Sequence, residues 1–281
     1  MAEKLRMSGI FTTFAVVNSF LEILFQPTLY NGILVGMALL AVVVWCALTR
    51  IEAPYGMAYR KGWGISLPNK AGWVLMELPA FAGMAALMCL CPEGLKSATA
   101  GSYVCGALFL LHYFRRTFIF PLLMRGKSRM PLAIALMGAV FNTINAYLLG
   151  GWLFILHPLD YPLSWLWSWQ FIAGTALFLA GMGMNWQADR IVRHLRRPGD
   201  SRHYIPRGGM FRYVTAASYL GELTEWCGYA LLTWSWAGAL FLLWTAANLV
   251  PRAAKLHKRY LKEFGKEYAA LHRRRIIPFV Y

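Results

Sequence analysis

Residues 30–49 read YNGILVGMALLAVVVWCALT, twenty positions without a charged side chain. A helix rises about 1.5 Å per residue, so a run of this length spans the roughly 30 Å hydrocarbon core of a bilayer. Lipid offers no water to the backbone, which leaves the helix as the form such a segment takes there. Six more segments repeat the pattern: 69–91, 99–122, 130–156, 166–186, 212–231 and 233–250. Only Thr233-Trp-Ser-Trp-Ala-Gly238 divides the last two, and it reads as an interfacial turn with tryptophans at headgroup depth. The expected fold is all-α integral membrane, with seven transmembrane helices. Segment 9–26 differs. Ile10, Phe14, Val17, Leu21 and Leu24 form one apolar stripe, and Thr12, Asn18, Ser19 and Glu22 lie on the other side. That pattern suits a short amphipathic helix at the interface or against the bundle, with an eighth span as the alternative. Two parts follow: an N-terminal amphipathic segment, 1–28, and a membrane domain, 29–281.

Composition supports lipid as the solvent. Of the 281 residues 58% are hydrophobic and only 14% charged, against about 25% charged in soluble domains. The net charge of +16 does not mark a nucleic-acid partner, because the basic residues sit between apolar runs. Loops 50–70, 123–129 and 187–212 and the tail 251–281 hold 23 of the 28 Lys and Arg, whereas loop 92–98 has one and loop 157–165 none. Such alternation orients a membrane protein with its basic loops, and here its C-terminal tail, in the cytoplasm. The membrane would be a bacterial inner membrane or, in a eukaryote, the endoplasmic reticulum. Cys46, Cys89, Cys91, Cys105 and Cys227 have no metal-ligand spacing and read as small apolar fillers. Lys4 and Arg6 open the chain, but Asn18 and Glu22 interrupt the apolar run that a signal peptide needs.

An ionisable side chain inside a span is costly and usually faces the bundle interior for a functional reason. Glu77 lies in MELPAF (76–81), two residues before a helix-kinking Pro79. LHYFRRTF (111–118) carries His112, Tyr113, Arg115 and Arg116, with Tyr113 and Arg116 on one face. The third place runs from Gly181 to Leu231. Asn185, Asp189, Arg193 and Arg196 lie four, four and three residues apart, one polar face on a helix leaving the membrane. Pro198-Gly199 ends that helix, Gly208-Gly209 permits a tight turn, and Glu222 and Glu225 share a face of the sixth span. The planar guanidinium fork suits phosphate, and an acid among arginines can orient them or accept from ribose hydroxyls. A polyanionic nucleotide is the ligand class this cluster suits, without the G-x-G-x-x-G of a Rossmann fold.

Taken in order, these strings resemble the steroid 5α-reductase family. They are E-L-P-A-F (77–81), L-H-Y-F-x-R-T-F (111–118), G-M-G-x-N (181–185), L-R-x-P-G (195–199), I-P-x-G-G-x-F-x-Y-V (205–214), Y-L-G-E (219–222), E-W-x-G-Y-A-L-x-T-W-S (225–235), N-L-x-P-R-A (248–253) and I-I-P-F (276–279). The likeness runs from about Arg50 to the C-terminus and leaves out the first thirty residues. It implies a seven-helix bundle that reduces the Δ4 double bond of 3-oxo-Δ4 steroids with NADPH, the cofactor part lying in 181–281. It also implies that Glu77 and Tyr113 grip the 3-keto oxygen, and that Arg116, Arg125, Lys127, Asn185, Asp189, Arg196, Tyr204, Ser218, Glu222, Arg252, His257 and Tyr260 serve the cofactor. At several of these the chain departs from the family pattern: Lys127 replaces an arginine and Ser218 an asparagine. His203, Leu256 and Phe120 are further departures.

Hydride addition at carbon 5 drives negative charge onto the ketone oxygen, and preorganised donors at that oxygen lower the barrier. Tyr113 is one donor. Glu77 is a second if protonated; if ionised it orients Tyr113. The expected partners are a steroid-like lipid, NADPH and the bilayer, with the chain acting as a monomer. The tail HKRYLKEFGKEYAALHRRRIIPF (257–279) is also similar to that of isoprenylcysteine methyltransferases and sterol reductases. Reduction of an enoyl-CoA, polyprenol or sterol, or lipid transport without catalysis, are the alternative functions.

Overall fold

The computed structural model describes residues 22–51, 64–90, 99–125, 128–156, 160–195 and 202–281. Most of segment 9–26, along with Cys91, Lys127, Arg196 and Pro198-Gly199, falls outside the described residues.

Each of the seven apolar segments corresponds to a helix: α1 (Pro27–Arg50), α2 (Asn69–Leu90), α3 (Ala100–Phe114), α4 (Leu132–Gly151), α5 (Trp169–His194), α6 (Ala217–Thr233) and α7 (Trp236–Ala269). A π turn, Arg115–Ile119, and a last turn, Phe120–Leu123, extend α3, and a second π turn, Trp152–Leu156, extends α4. Strands β1 (Ser66–Pro68) and β2 (Arg129–Pro131) pair antiparallel. Three stretches, Pro27–Arg50, Asn69–Leu90 and Leu132–Leu156, are long and apolar enough to cross a membrane. Their apolar side chains point outward: Val35, Leu39, Val42 and Val43 on α1, and Leu136, Met137 and Val140 on α4, are all exposed. Water does not tolerate apolar surface on that scale, and lipid does. Of the others, α3 and α6 are shorter regular helices of 15 and 17 residues, and α5 and α7 carry polar residues along much of their length.

α5 runs past its apolar span to His194, so Asn185 and Asp189 lie well inside it, as expected of a polar face on a helix leaving the membrane. Two other boundaries correct the sequence reading. α6 starts at Ala217, not 212, because Gly208 and Gly209 take φ of +91° and +49° and lead into a short 3-10 turn. α7 passes through Pro251, breaks at Gly265 (φ 53°) and ends at Ala269; a proline removes one hydrogen bond without ending a helix that is otherwise packed. Between α6 and α7, Trp234 adopts a left-handed conformation (φ 44°), and Ser235 caps α7 by accepting from the Gly238 amide (2.9 Å).

The tightest seam lies between α5 and α6. A methyl group added to Gly174, Gly181, Gly221 or Gly228 would meet backbone of the facing helix at 2.5, 2.3, 2.5 and 2.3 Å respectively. The two backbones therefore touch, and side chains flanking the glycines are forced inward together. A cluster of buried aromatic and aliphatic groups, among them Phe109, Phe178, Trp226, Tyr229 and Phe241, fills the space between α3, α5, α6 and α7. Of the four cysteines among the described residues only Cys105 is buried; Cys46, Cys89 and Cys227 are exposed, and all four are free.

Loop contacts sort the bundle into two ends. At one end β1 pairs with β2, Arg125 donates to the Arg193 carbonyl (3.3 Å) and Lys255 to the Ile51 carbonyl (2.6 Å). At the other, the Tyr161 hydroxyl donates to the Thr233 carbonyl (2.5 Å) and the Trp165 indole to the Leu232 carbonyl (3.0 Å). The four basic stretches thus gather at one end. Before α1, Phe25 is buried and stacks on Tyr147 (4.9 Å), whose hydroxyl donates to the Leu24 carbonyl. The end of segment 9–26 therefore leans on the bundle.

Candidate active site

Glu77 on α2 and Tyr113 on α3 are buried, at 8% and 3% exposure, and one side chain of α4 joins them. Asn142 Nδ2 donates to Glu77 Oε2 (3.2 Å) and to the Met76 carbonyl (2.7 Å), while its Oδ1 accepts from the Tyr113 hydroxyl (3.1 Å). Asn145, one turn on, donates to the Tyr113 oxygen (3.5 Å). Sequence reasoning missed both asparagines. The signal was there, two amides three residues apart in an otherwise apolar segment, but attention to ionisable groups passed over it. Across the cluster Arg116 Nη2 lies 3.9 Å from Glu77 Oε1, with its guanidinium over the rings of Trp73 (4.8 Å) and Phe120 (4.9 Å). Arg116, expected at the cofactor, thus lies beside Glu77.

The π turn begins at Arg115, and neighbouring arginines face different ways from it. Arg115 Nη1 donates to Asn185 Oδ1 (3.1 Å) and Nη2 to Asp189 Oδ2 (2.9 Å), with the guanidinium over Trp186 (5.0 Å). Asn185 Nδ2 donates to the Ser218 carbonyl (3.1 Å). Asn185, Asp189 and Ser218 therefore form one group, organised by Arg115. Glu222 lies on α6 facing both clusters: its charge bears on Glu77, Tyr113, Arg116 and Asp189. Beside Tyr113, His112 Nδ1 and Glu225 Oε1 lie 2.7 Å apart, both groups buried, and the imidazole packs edge-on against Trp226 (4.6 Å).

The tail adds a third group. Arg274 pairs with Val214, and Thr215 donates its amide to the Arg274 carbonyl (2.8 Å), which ties the C-terminus to the start of α6. The Thr215 hydroxyl bonds both His257 Nδ1 (2.6 Å) and the Tyr268 hydroxyl (2.6 Å). Burial, and after it the charge of Arg275, holds His257 below the usual histidine range, so the ring is neutral at pH 7. Tyr260 is buried against Phe264 and Tyr268, and Arg252 donates to Asn248 Oδ1 (3.1 Å) beneath the ring of Tyr219. Tyr204 packs against Arg202, and Arg125 is exposed at the basic end of the bundle.

The residues present suit a phosphorylated cofactor. Buried guanidinium nitrogens, Arg193 Nη1 and Arg273 Nε and Nη1, have no hydrogen-bond partner among the described residues. Buried charged donors without acceptors are costly, and phosphate oxygens are the acceptors their geometry matches. Among the described residues no cluster of His, Cys, Asp and Glu is arranged to hold a metal ion.

A sequence model of the 3-oxo-5-alpha-steroid 4-dehydrogenase family matches residues 128–281. The chain is 37% identical over 260 residues to steroid 5-alpha-reductase DET2 of Gossypium hirsutum, covering 91% of this chain and 99% of that protein. It is 39% identical over 253 residues to 3-oxo-5-alpha-steroid 4-dehydrogenase 1 of Homo sapiens, covering 89% and 96%. Similarity of that extent reaches well N-terminal of the matched 128–281 segment and takes in α2 and α3, where Glu77 and Tyr113 reside. The chain therefore belongs to the steroid 5-alpha-reductase (3-oxo-5-alpha-steroid 4-dehydrogenase) family of oxidoreductases acting on CH–CH groups.

Proposed function

We propose that the chain reduces the Δ4 double bond of 3-oxo-Δ4 steroids, using NADPH. The observation that carries this reading is the Glu77–Asn142–Tyr113 chain of hydrogen bonds in the apolar interior, with Tyr113 two residues before the arginine that organises Asn185 and Asp189. An acid–phenol pair and a phosphate-seeking group share one bundle. When bound, the cofactor supplies a hydride to carbon 5 of the steroid.

A proton from solvent then completes carbon 4, and the side chains polarise the ketone. Tyr113 donates its hydroxyl hydrogen to the 3-keto oxygen, which replaces Asn142 Oδ1 as acceptor. Asn145, donating to the Tyr113 oxygen, strengthens that donor through the polarisation of successive hydrogen bonds. Glu77 accepts from Asn142 and faces Arg116, a placement that suits the orienting role: until the ketone arrives, Glu77 holds Asn142, and Asn142 holds Tyr113. Arg125, Lys127, Arg196, Tyr204, Arg252, His257 and Tyr260 would hold the phosphates and adenosine, with Asn185, Asp189, Ser218 and Glu222 nearer the bundle interior. Residues 29–281 form the membrane domain, and 181–281 its cofactor part. All seven helices cross the membrane, with the basic end and the tail in the cytoplasm, where NADPH is made.

The test is incubation of purified protein with NADPH and a panel of 3-oxo-Δ4 steroids, products being identified by mass spectrometry. Reduced steroid, with one NADPH oxidised per product, is the expected result. Glu77→Gln and Tyr113→Phe should each lower turnover about 10²–10³-fold while NADPH still binds. Full activity in both variants would remove the acid–phenol pair from the reaction.

A further inference from the structure

Arg115 stands outside the residues that the family pattern marks, yet it contacts both Asn185 and Asp189 in the nucleotide half-site. Asn185 and Asp189 are four apart on α5, one turn of helix, a separation that the two Nη groups of one guanidinium bridge. The stack on Trp186 fixes the plane of the fork. Asn185 is 2% exposed, with its oxygen bonded to Arg115 and its nitrogen to the Ser218 carbonyl. Both ends of that amide are therefore engaged within the protein. Asp189 is held through Oδ2, and its side chain keeps 14% exposure.

We propose that Arg115 is a positioning residue for the dinucleotide: by bridging Asn185 and Asp189 it locks the Asp189 carboxylate in the orientation that receives the cofactor's ribose hydroxyls. Asn185 then acts as a strut between Arg115 and α6. The inference rests on the reductase reading above.

Arg115→Lys tests it, because lysine keeps the charge beside Asp189 and loses the two-pronged bridge. Three quantities are measured on the full chain in detergent: NADPH affinity by nicotinamide fluorescence, thermal unfolding of the cofactor-free protein, and steady-state kinetics with a 3-oxo-Δ4 steroid. The Kd for NADPH is expected to rise about tenfold, with its KM, as for loss of one charge-assisted hydrogen bond. The kcat at saturating NADPH and the steroid KM stay within about threefold, well short of the tenfold that one such bond represents. Cofactor-free unfolding is expected to stay close to that of the unaltered protein. Arg115→Met/Asp189→Asn removes both charges and covers the case in which the lysine variant does not fold; NADPH affinity is expected to remain low in it. Unaltered affinity in Arg115→Lys overturns the proposal, as do equal rises in both KM values or failure of both variants to fold. Recovery of affinity in the double variant also overturns it, since Arg115 would then only neutralise Asp189. If the unaltered protein binds no NADPH, the reductase reading itself fails.

Discussion

Gly181→Ala probes the seam on which both half-sites depend. The added methyl carbon would lie 2.3 Å from the Glu225 amide nitrogen, 2.6 Å from the Gly221 carbonyl oxygen and 2.7 Å from the Glu225 Cα. All three are backbone atoms, so no side-chain rotation relieves the clash. Comfortable contacts need about 3.5–4.0 Å, so α5 and α6 must part by more than about 1 Å. The Asn185–Ser218 hydrogen bond, 3.1 Å across this seam, would then exceed the length at which it holds. Overpacking costs about 1–3 kcal/mol, and the lost hydrogen bond about 0.5–1.5 kcal/mol more. Misplacement of catalytic groups by about 1 Å can lower turnover about 10²-fold. Gly183→Ala is the control. It lies two residues away on the same helix, its added methyl group meets nothing within 4 Å, and alanine in a helix is favoured over glycine by about 1 kcal/mol. Thermal unfolding in detergent and steroid turnover are measured for both variants. If Gly181→Ala is as stable and active as Gly183→Ala, the glycine seam does not position the site.

Other outcomes follow from the same contacts. Asn142→Leu removes the link between Glu77 and Tyr113; turnover should fall at least about tenfold, with NADPH affinity unchanged, and stability by about 1–3 kcal/mol for the polar groups left unpaired. The His257 ring is held neutral, below its ordinary value of 6.5. An unfolded histidine takes up a proton at higher pH than this one, so its contribution to stability is complete above 6.5 and declines as pH falls through and below that value. Unfolding temperatures measured from pH 7.5 down to 5 should drop, and His257→Gln should flatten that part of the curve. Arg273→Leu removes two buried donors, Nε and Nη1, that have no acceptor among the described residues; NADPH affinity should weaken while the cofactor-free protein loses little stability, and an unchanged affinity would show that phosphate does not reach Arg273.

Much of the helix content was readable from local pattern alone. Runs such as 30–49 and 130–156 become α1 and α4 because length and apolarity are properties of a contiguous stretch. Costly intramembrane groups, Glu77, Tyr113 and Asp189, stand out for the same reason. Helix ends were less legible: α6 starts only at Ala217, after the Gly208-Gly209 turn, and α7 passes through Pro251.

The linear chain alone determined that this is a helical membrane protein with an acid, a phenol and an arginine-rich segment set apart from lipid. Folding determined who meets whom. Asn142 and Arg115 become the connecting residues only because α4 brings its amide between α2 and α3, and α5 brings a turn of polar groups against the π turn. Contacts between residues 29 or 70 positions apart leave no local period in a sequence; they arise from helix packing, which glycines at 174, 181, 221 and 228 set by letting two backbones touch.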